Sequence, residues 1–215
     1  MNNSTPSSPP CFAHELVPGD MGFEVCDAQT RLDVARWRKG ERQRLIAARL
    51  AVPVSRRAAV AKQIIATLDQ LVDPGAGPVI GLYWPFRGEL DLRGWMRTMS
   101  DKGAQVALPV VVEKARPLVF RRWSPQCKME RGVWNIPIPA DDQRVIPDIV
   151  IAPLVGVDPA GYRLGYGGGF YDRTLAALNN DPLVIGCGHP VARIDTIFPL
   201  PHDVPMNRVL LGDPE

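Results

Sequence analysis

Histidine and cysteine are scarce in this chain and nowhere grouped. The three histidines (His14, His189, His202) and four cysteines (Cys11, Cys26, Cys127, Cys187) form no C-x-x-C and no metal-ligand spacing, which excludes a zinc ribbon and a thioredoxin-type redox pair. A chain of 215 residues, 46% of them hydrophobic, can build a core without disulfide staples. The thiols are therefore read as free, in a reducing compartment. No run of eighteen apolar residues occurs, so no membrane-spanning helix is expected. The opening MNNSTPSSPP has no basic segment followed by an apolar one, and a cytoplasmic protein is expected. Surplus charge is missing too. A net charge of +2 gives no field that would call for nucleic acid or an anionic membrane as partner. Two familiar nucleotide loops are also absent: GxxxxGK[ST] does not occur, and GxGxxG fails because Phe170 stands where the last glycine is needed.

What is present is a dense glycine segment, Gly161 to Arg173, reading GYRLGYGGGFYDR. It follows an apolar run from Ile149 to Val157, broken by Pro153 and Gly156, that reads as a buried strand ending in a turn. It precedes Phe170 to Leu178, free of Pro and Gly with apolar residues at helical spacing. Glycines 165, 167, 168 and 169 thus sit at a strand-to-helix junction, where φ > 0 and close backbone approach are available and where free helix amides attract an anion. Arg163 adds a cation able to make charge-assisted contacts. The segment reads as a phosphate-binding loop. A flexible linker is the weaker reading, because linkers are Ser-rich and do not interleave Arg, Phe, Tyr and Asp.

Residues 1–30, rich in Ser, Pro and Asn, are expected to be a poorly ordered extension that docks through Phe12 or Phe23. Residues 31–215 are expected to form a single α/β domain. The pattern predicts a helix from Leu32 to about Leu50 and another from Pro53 to about Leu71, with Ser55 as its N-cap. It then predicts a strand over Val79–Trp84, a helix over Leu90–Lys102 closed by Gly103, and strands over Gln105–Val112, Pro117–Trp123, Ile149–Val155 and Leu183–Gly188. Strands alternating with helices imply a mostly parallel sheet covered on both faces, a three-layer αβα fold with its ligand crevice at the carboxyl ends of the strands.

The string RLGYGGGFYD, Arg163 to Asp172, resembles the signature loop of the 5-formyltetrahydrofolate cyclo-ligase (5,10-methenyltetrahydrofolate synthetase) family. In the same order come a basic N-terminal helix, Gly-Glu-Leu-Asp at 88–91, LPVV at 108–111, WNIPIP at 134–139 and a terminal PHDVPMNRVLL, so that the resemblance covers roughly residues 36–212. It implies a NagB/RpiA/CoA-transferase-like architecture. The activity it implies is the cyclisation of 5-formyltetrahydrofolate to 5,10-methenyltetrahydrofolate with ATP as co-substrate and Mg2+, releasing ADP and phosphate, by a monomer whose partners are reduced folate and ATP. In the implied mechanism the formyl oxygen attacks the γ-phosphate, N10 adds to the activated carbon, and phosphate leaves. Two rivals remain: an isomerase or transferase of the same architecture acting on a sugar phosphate or CoA ester, and a non-catalytic folate- or nucleotide-binding regulator.

The resemblance also assigns residues. Phosphates of ATP fall to Arg163, Leu164, Gly165, Tyr166, Gly167, Gly168, Gly169, Phe170 and Tyr171, with Arg163 and Tyr171 at the reacting centre. The family's Lys-x-x-x-Arg pair on the N-terminal helix corresponds to Arg38 and Arg42, with Lys39 as the alternative to Arg38; one residue of shift turns a helical side chain by about 100°. Without the resemblance this basic stretch, with Arg36, Arg44 and Arg49, reads as a solvated face. Glu89 corresponds to a pterin-binding glutamate, its other reading being an early-helix acid. Trp134 and Tyr171 correspond to walls for the substrate, and Phe170 stands where many relatives have Tyr. Asp172 and Asp203 correspond to metal positions, although a first-turn carboxylate such as Asp172 also stabilises a helix N-terminus.

Overall fold

The structure, a computed structural model, describes residues 17–19, 22–24 and 28–213. The readings of Cys11, Phe12, His14 and Cys26, and of the side chain of Phe23, lie outside the described residues. Along the chain come β1 (Val17–Gly19) and β2 (Gly22–Glu24), then α1 (Ala28–Ala51), α2 (Val54–Leu71), β3 (Val79–Gly81), α3 (Arg93–Asp101), β4 (Gln105–Val110) and β5 (Val119–Trp123). A hairpin of β6 (Met129–Arg131) and β7 (Pro137–Pro139) is followed by β8 (Arg144–Val145), β9 (Ile149–Pro153), β10 (Gly156–Val157) and β11 (Arg163–Leu164). The chain closes with α4 (Phe170–Ala177), β12 (Leu183–Cys187) and β13 (Arg208–Leu210).

One seven-stranded sheet organises the molecule, in the order β13-β12-β9-β3-β4-β5-β8. Its five strands from β13 to β4 run parallel, and β5 and β8 add an antiparallel edge. Alternation along each strand sorts the core into two layers. Ile80, Val106, Leu108, Ile149, Ile151 and Ile185 face α2 and α3, which bury Val60, Ile64, Leu68, Trp95, Met96 and Met99. Ala107, Phe120, Val150, Ala152 and Val184 face the opposite way, against Leu175 of α4 and Met206. This is the expected three-layer α/β arrangement. Among the described residues no helix is long and apolar enough to cross a membrane.

Element ends depart from the sequence pattern for local reasons. Helix α1 starts at Ala28 rather than Leu32, supported by polar i,i+4 pairing of Gln29 with Asp33 that apolar periodicity does not register. Ser55 does not cap α2; Pro53 holds the cap position with φ −56° and ψ 146°, and no side chain caps the helix. Helix α3 begins at Arg93, where the Asp91 carboxylate accepts the Arg93 amide at 3.0 Å in a turn that excludes Leu90–Leu92 from the helix. Strand β3 stops at Gly81, short of Trp84.

Helix α1 differs in kind from the other helices. Its buried face carries Thr30, Asp33, Arg38, Glu41 and Arg49 among Val34 and Leu45. Buried polar groups need partners: Asp33 and Glu41 find them on α1 itself, in Gln29, Arg36 and Arg44, whereas Arg38 and Arg49 are matched by acceptors on the neighbouring loops, and those loops form the site.

Candidate active site

At the centre of the sheet, β3 leads through α3 to β4 on one side, while β9 leads through α4 to β12 on the other. The loops leaving these adjacent carboxyl ends therefore part, and ligands of open α/β sheets settle in such a crevice. A cleft opens there. Its walls are the loop after β3 with Glu89, the glycine segment, Arg38 and Arg42 of α1, the β6–β7 hairpin with Trp134, and Asp203.

The glycine segment runs from β11 into α4. Of its glycines, Gly167 (φ +94°) and Gly169 (φ +60°) occupy left-handed backbone, whereas Gly165 and Gly168 do not. Those two serve close approach instead: a Cβ on Gly168 would stand 2.7 Å from the Phe170 ring. The amides of Gly167, Gly168 and Gly169 donate no hydrogen bond among the described residues, and they lie at the start of α4, whose first-turn amides also lack intrahelical acceptors. The junction has the makings of an anion cradle.

Cations converge on it. Arg42 donates Nε–H to the Gly165 carbonyl at 2.7 Å, and its terminal nitrogens make no hydrogen bond among the described residues. Burial, with Arg38 and Arg163 nearby, lowers the pKa of Arg42 from its ordinary value, against the opposing pull of Asp203. Arg163 is buried, stacks 4.9 Å from the Tyr171 ring centre, and donates to Asp172 at 3.2 Å.

The other two α1 candidates behave differently. Arg38 lines the cleft, but each of its three guanidinium nitrogens is engaged: together they donate four of five N–H bonds, to both oxygens of Asp203 at 3.2 and 2.6 Å and to the carbonyls of Ile197 at 2.8 Å and Phe198 at 2.6 Å. Lys39 is exposed and is not among the lining residues. Of the three, Arg42 alone presents two terminal nitrogens to the cleft that make no hydrogen bond among the described residues. The reading of the whole stretch as a solvated face is likewise corrected, since Arg38 and Arg49 are buried.

On the opposite wall Glu89 precedes α3 by several residues, so it is not an early-helix acid. Its Oε2 accepts the Phe86 amide at 2.8 Å, and its Oε1 accepts the Tyr166 hydroxyl at 2.9 Å. Although its surface is partly open to the cleft, the carboxyl is packed round by protein. Burial pushes its pKa up to about 7, against the opposing pull of Arg49, the Phe86 amide and Tyr166. Trp134 stands at the cleft mouth, 53% exposed and in left-handed backbone (φ 56°), with its ring edge-on to Phe170 at 6.2 Å. Such strain in a non-glycine residue holds an apolar ring out for a partner. The Tyr171 hydroxyl is buried without a hydrogen-bond partner among the described residues, and burial raises its pKa.

The two carboxylates expected at a metal are unequal. Asp172 gives one oxygen to Arg163 and keeps Oδ1 without a hydrogen bond, so it suits a hard cation completed by phosphate oxygens and water. Asp203 does not suit one: Arg38 takes both of its oxygens, and the Leu200 amide adds a second contact to Oδ2 at 2.6 Å. Among the described residues no group of three or more His, Cys, Asp or Glu is arranged around a metal position. Sequence reasoning missed Arg49, which reaches from α1 to Tyr166 beneath Glu89. The available signal was the recurrence of Val34, Arg38, Glu41, Leu45 and Arg49 at intervals of about one helical turn.

Comparison with known proteins gives the chain its relatives. Residues 34–212 match the model of the 5-formyltetrahydrofolate cyclo-ligase family. The chain is 32% identical over 152 residues to a 5-formyltetrahydrofolate cyclo-ligase of Haemophilus influenzae, covering 66% of this chain and 80% of that protein. It is 33% identical over 143 residues to one of Mycolicibacterium smegmatis, covering 63% and 74%. The solved structure of Aquifex aeolicus 5,10-methenyltetrahydrofolate synthetase superimposes with a TM-score of 0.70 at 25% identity, over 81% of this chain and 89% of that one.

Proposed function

The chain belongs to the 5-formyltetrahydrofolate cyclo-ligase family, and from that premise we propose that its cleft closes 5-formyltetrahydrofolate to 5,10-methenyltetrahydrofolate, with ATP as co-substrate and ADP and phosphate as further products. One observation carries the reading: a single cleft pairs a cationic glycine cradle on one wall with an acceptor carboxylate and an exposed indole on the other. A triphosphate suits the first wall. The donor edge of a pterin suits Glu89, whose two oxygens lie side by side as acceptors.

An N-formyl group is amide-like and a poor electrophile. Transfer of the γ-phosphoryl group to its oxygen turns that oxygen into a leaving group, the N10 amine adds to the carbon, and phosphate departs with the C–O bond. Both nucleophiles belong to the substrate. The lining of the cleft agrees, since among the described residues it contains no serine, threonine, cysteine or lysine. What remains for the protein is alignment and charge compensation. Arg42 and the free amides of the glycine loop hold the phosphates in line. Arg163 stands over Tyr171 at the junction of the two walls, where charge develops on the transferred group. Glu89 fixes the pterin, and Trp134 covers its ring. The Tyr171 hydroxyl gains the partner it lacks. A magnesium ion would be held by the free oxygen of Asp172 together with phosphate and water, and would neutralise phosphate charge.

The deciding experiment follows the absorbance of the conjugated methenyl product with purified protein. Product should appear only when 5-formyltetrahydrofolate, ATP and a divalent cation are all present, with one ADP per product. Equal turnover in EDTA without nucleotide would falsify the ligase reading and favour an isomerase or transferase.

A further inference from the structure

Glu89 is held by an arginine that no motif marks. Arg49, in the last turn of α1, is 5% exposed and donates to three separate segments. Nε bonds the Arg87 carbonyl at 3.0 Å, Nη1 bonds the Leu154 carbonyl at 3.0 Å, and Nη2 bonds the Tyr166 oxygen at 2.6 Å. Guanidinium nitrogens donate and never accept, so at the last contact Tyr166 is the acceptor and its own proton must point elsewhere. Glu89 Oε1 lies 2.9 Å from that hydroxyl, while the alternative, the Phe86 carbonyl, is at 3.5 Å. Donation therefore runs one way, from Arg49 to Tyr166 to Glu89.

We propose that Arg49 is a positioning residue for folate recognition: through the Tyr166 hydroxyl it directs a proton donor onto Glu89 and favours the ionised, acceptor-only form of that carboxylate facing the cleft. This rests on the reading of Glu89 as the folate-binding group. It also ties the two walls together, because Tyr166 stands between Gly165 and Gly167, and Arg42 holds the same loop through Gly165. Helix α1 thus sets the phosphate cradle with one arginine and the folate acceptor with another, two turns further on.

The groups that face Glu89 are Arg49 from α1, Tyr166 from the glycine loop, Tyr83 beyond β3 and Tyr171 from α4. Arg49 is the cation among them, and the tyrosines stay neutral near pH 7. A proton on Glu89 would replace an acceptor by a donor facing the pterin's own donors. Folate affinity should accordingly be full above the Glu89 pKa and fall as pH drops through it. Removing the Tyr166 hydroxyl takes away a bond that favours the anion, which moves that fall to higher pH.

The test is calorimetric titration of 5-formyltetrahydrofolate, and separately of a non-hydrolysable ATP analogue, between about pH 6 and about pH 9. Tyr166→Phe should bind folate roughly tenfold more weakly at pH 7, recover toward wild-type affinity at the alkaline end, and lose less affinity for nucleotide than for folate. Arg49→Gln should shift the folate profile in the same direction. Glu89→Gln should be weak throughout, with no midpoint. If Arg49→Gln fails to fold by circular dichroism, the Tyr166→Phe profile decides. Wild-type and Tyr166→Phe curves with the same midpoint would overturn the positioning role while leaving the functional reading intact. Absence of folate binding by the wild type would overturn the functional reading itself.

Discussion

Arg38 and Arg42 lie one helical turn apart on α1, yet their surroundings give them different work. Arg38 spends its donors on Asp203 and on two carbonyls of the 197–198 segment, at 7% exposure. Arg42 commits one nitrogen to Gly165 and aims the rest into the cleft. Replacing Arg42 by Ala should raise the Michaelis constant for ATP by about ten- to a hundredfold, the value of a lost charge-assisted hydrogen bond, with little change in melting temperature. Arg38→Ala should act chiefly on stability, costing about 3–5 kcal/mol because Asp203 is left as an uncompensated buried charge. Lys39→Ala should alter neither. Steady-state kinetics and denaturant unfolding on the three variants separate these outcomes, and a silent Arg42→Ala would remove α1 from phosphate recognition.

The glycine loop works as an element because its two ends are tied while the amides of Gly167, Gly168 and Gly169 donate to nothing among the described residues, Arg173 holding the loop only through the Gly168 and Gly169 carbonyls. Arg42 and Arg49 fasten it to α1 at Gly165 and Tyr166, and Arg163 bridges to Asp172 across it. Between these ties, Gly167 at φ +94° has the Arg42 guanidinium carbon 3.3 Å from where a Cβ would stand. Gly167→Ala therefore adds backbone strain of about 1–3 kcal/mol and pushes on the cation that completes the cradle. The expected result is a loss of nucleotide affinity larger than the loss of folate affinity, measured by separate titrations. Equal losses would mean that the loop collapses as a whole rather than failing locally.

At the scale of the whole molecule, the cleft is built from α1, both central strand ends, the glycine loop and the 203 region, so ligands bridge segments remote in sequence. Binding should stabilise the entire fold. At a hundredfold excess over its dissociation constant a ligand adds about 2.7 kcal/mol, which for a chain of this size raises the melting temperature by roughly 5–10 °C. ATP with magnesium should do this, and EDTA should reduce the shift because Asp172 then faces phosphate without a cation. A shift unaffected by EDTA would show that the nucleotide binds through Arg42 and the loop amides alone.

Much of this was legible in the order of residues. The continuous apolar runs at Ile149–Val155 and Gln105–Val112 read as buried strands, and the glycines between a strand and a helix as a close-approach loop, because both readings depend on local backbone geometry and burial alone. The resemblance of Arg163 to Asp172 to a known signature carried the chemistry, and residues 34–212 match that family. What the sequence could not decide was partnership. Whether Arg38 or Arg42 keeps its donors free, whether Asp172 or Asp203 keeps an oxygen, and that Arg49 stands behind Tyr166 and Glu89 all depend on contacts between segments tens to more than a hundred residues apart. A guanidinium has five N–H bonds to distribute, and only the folded chain determines which acceptors reach them first.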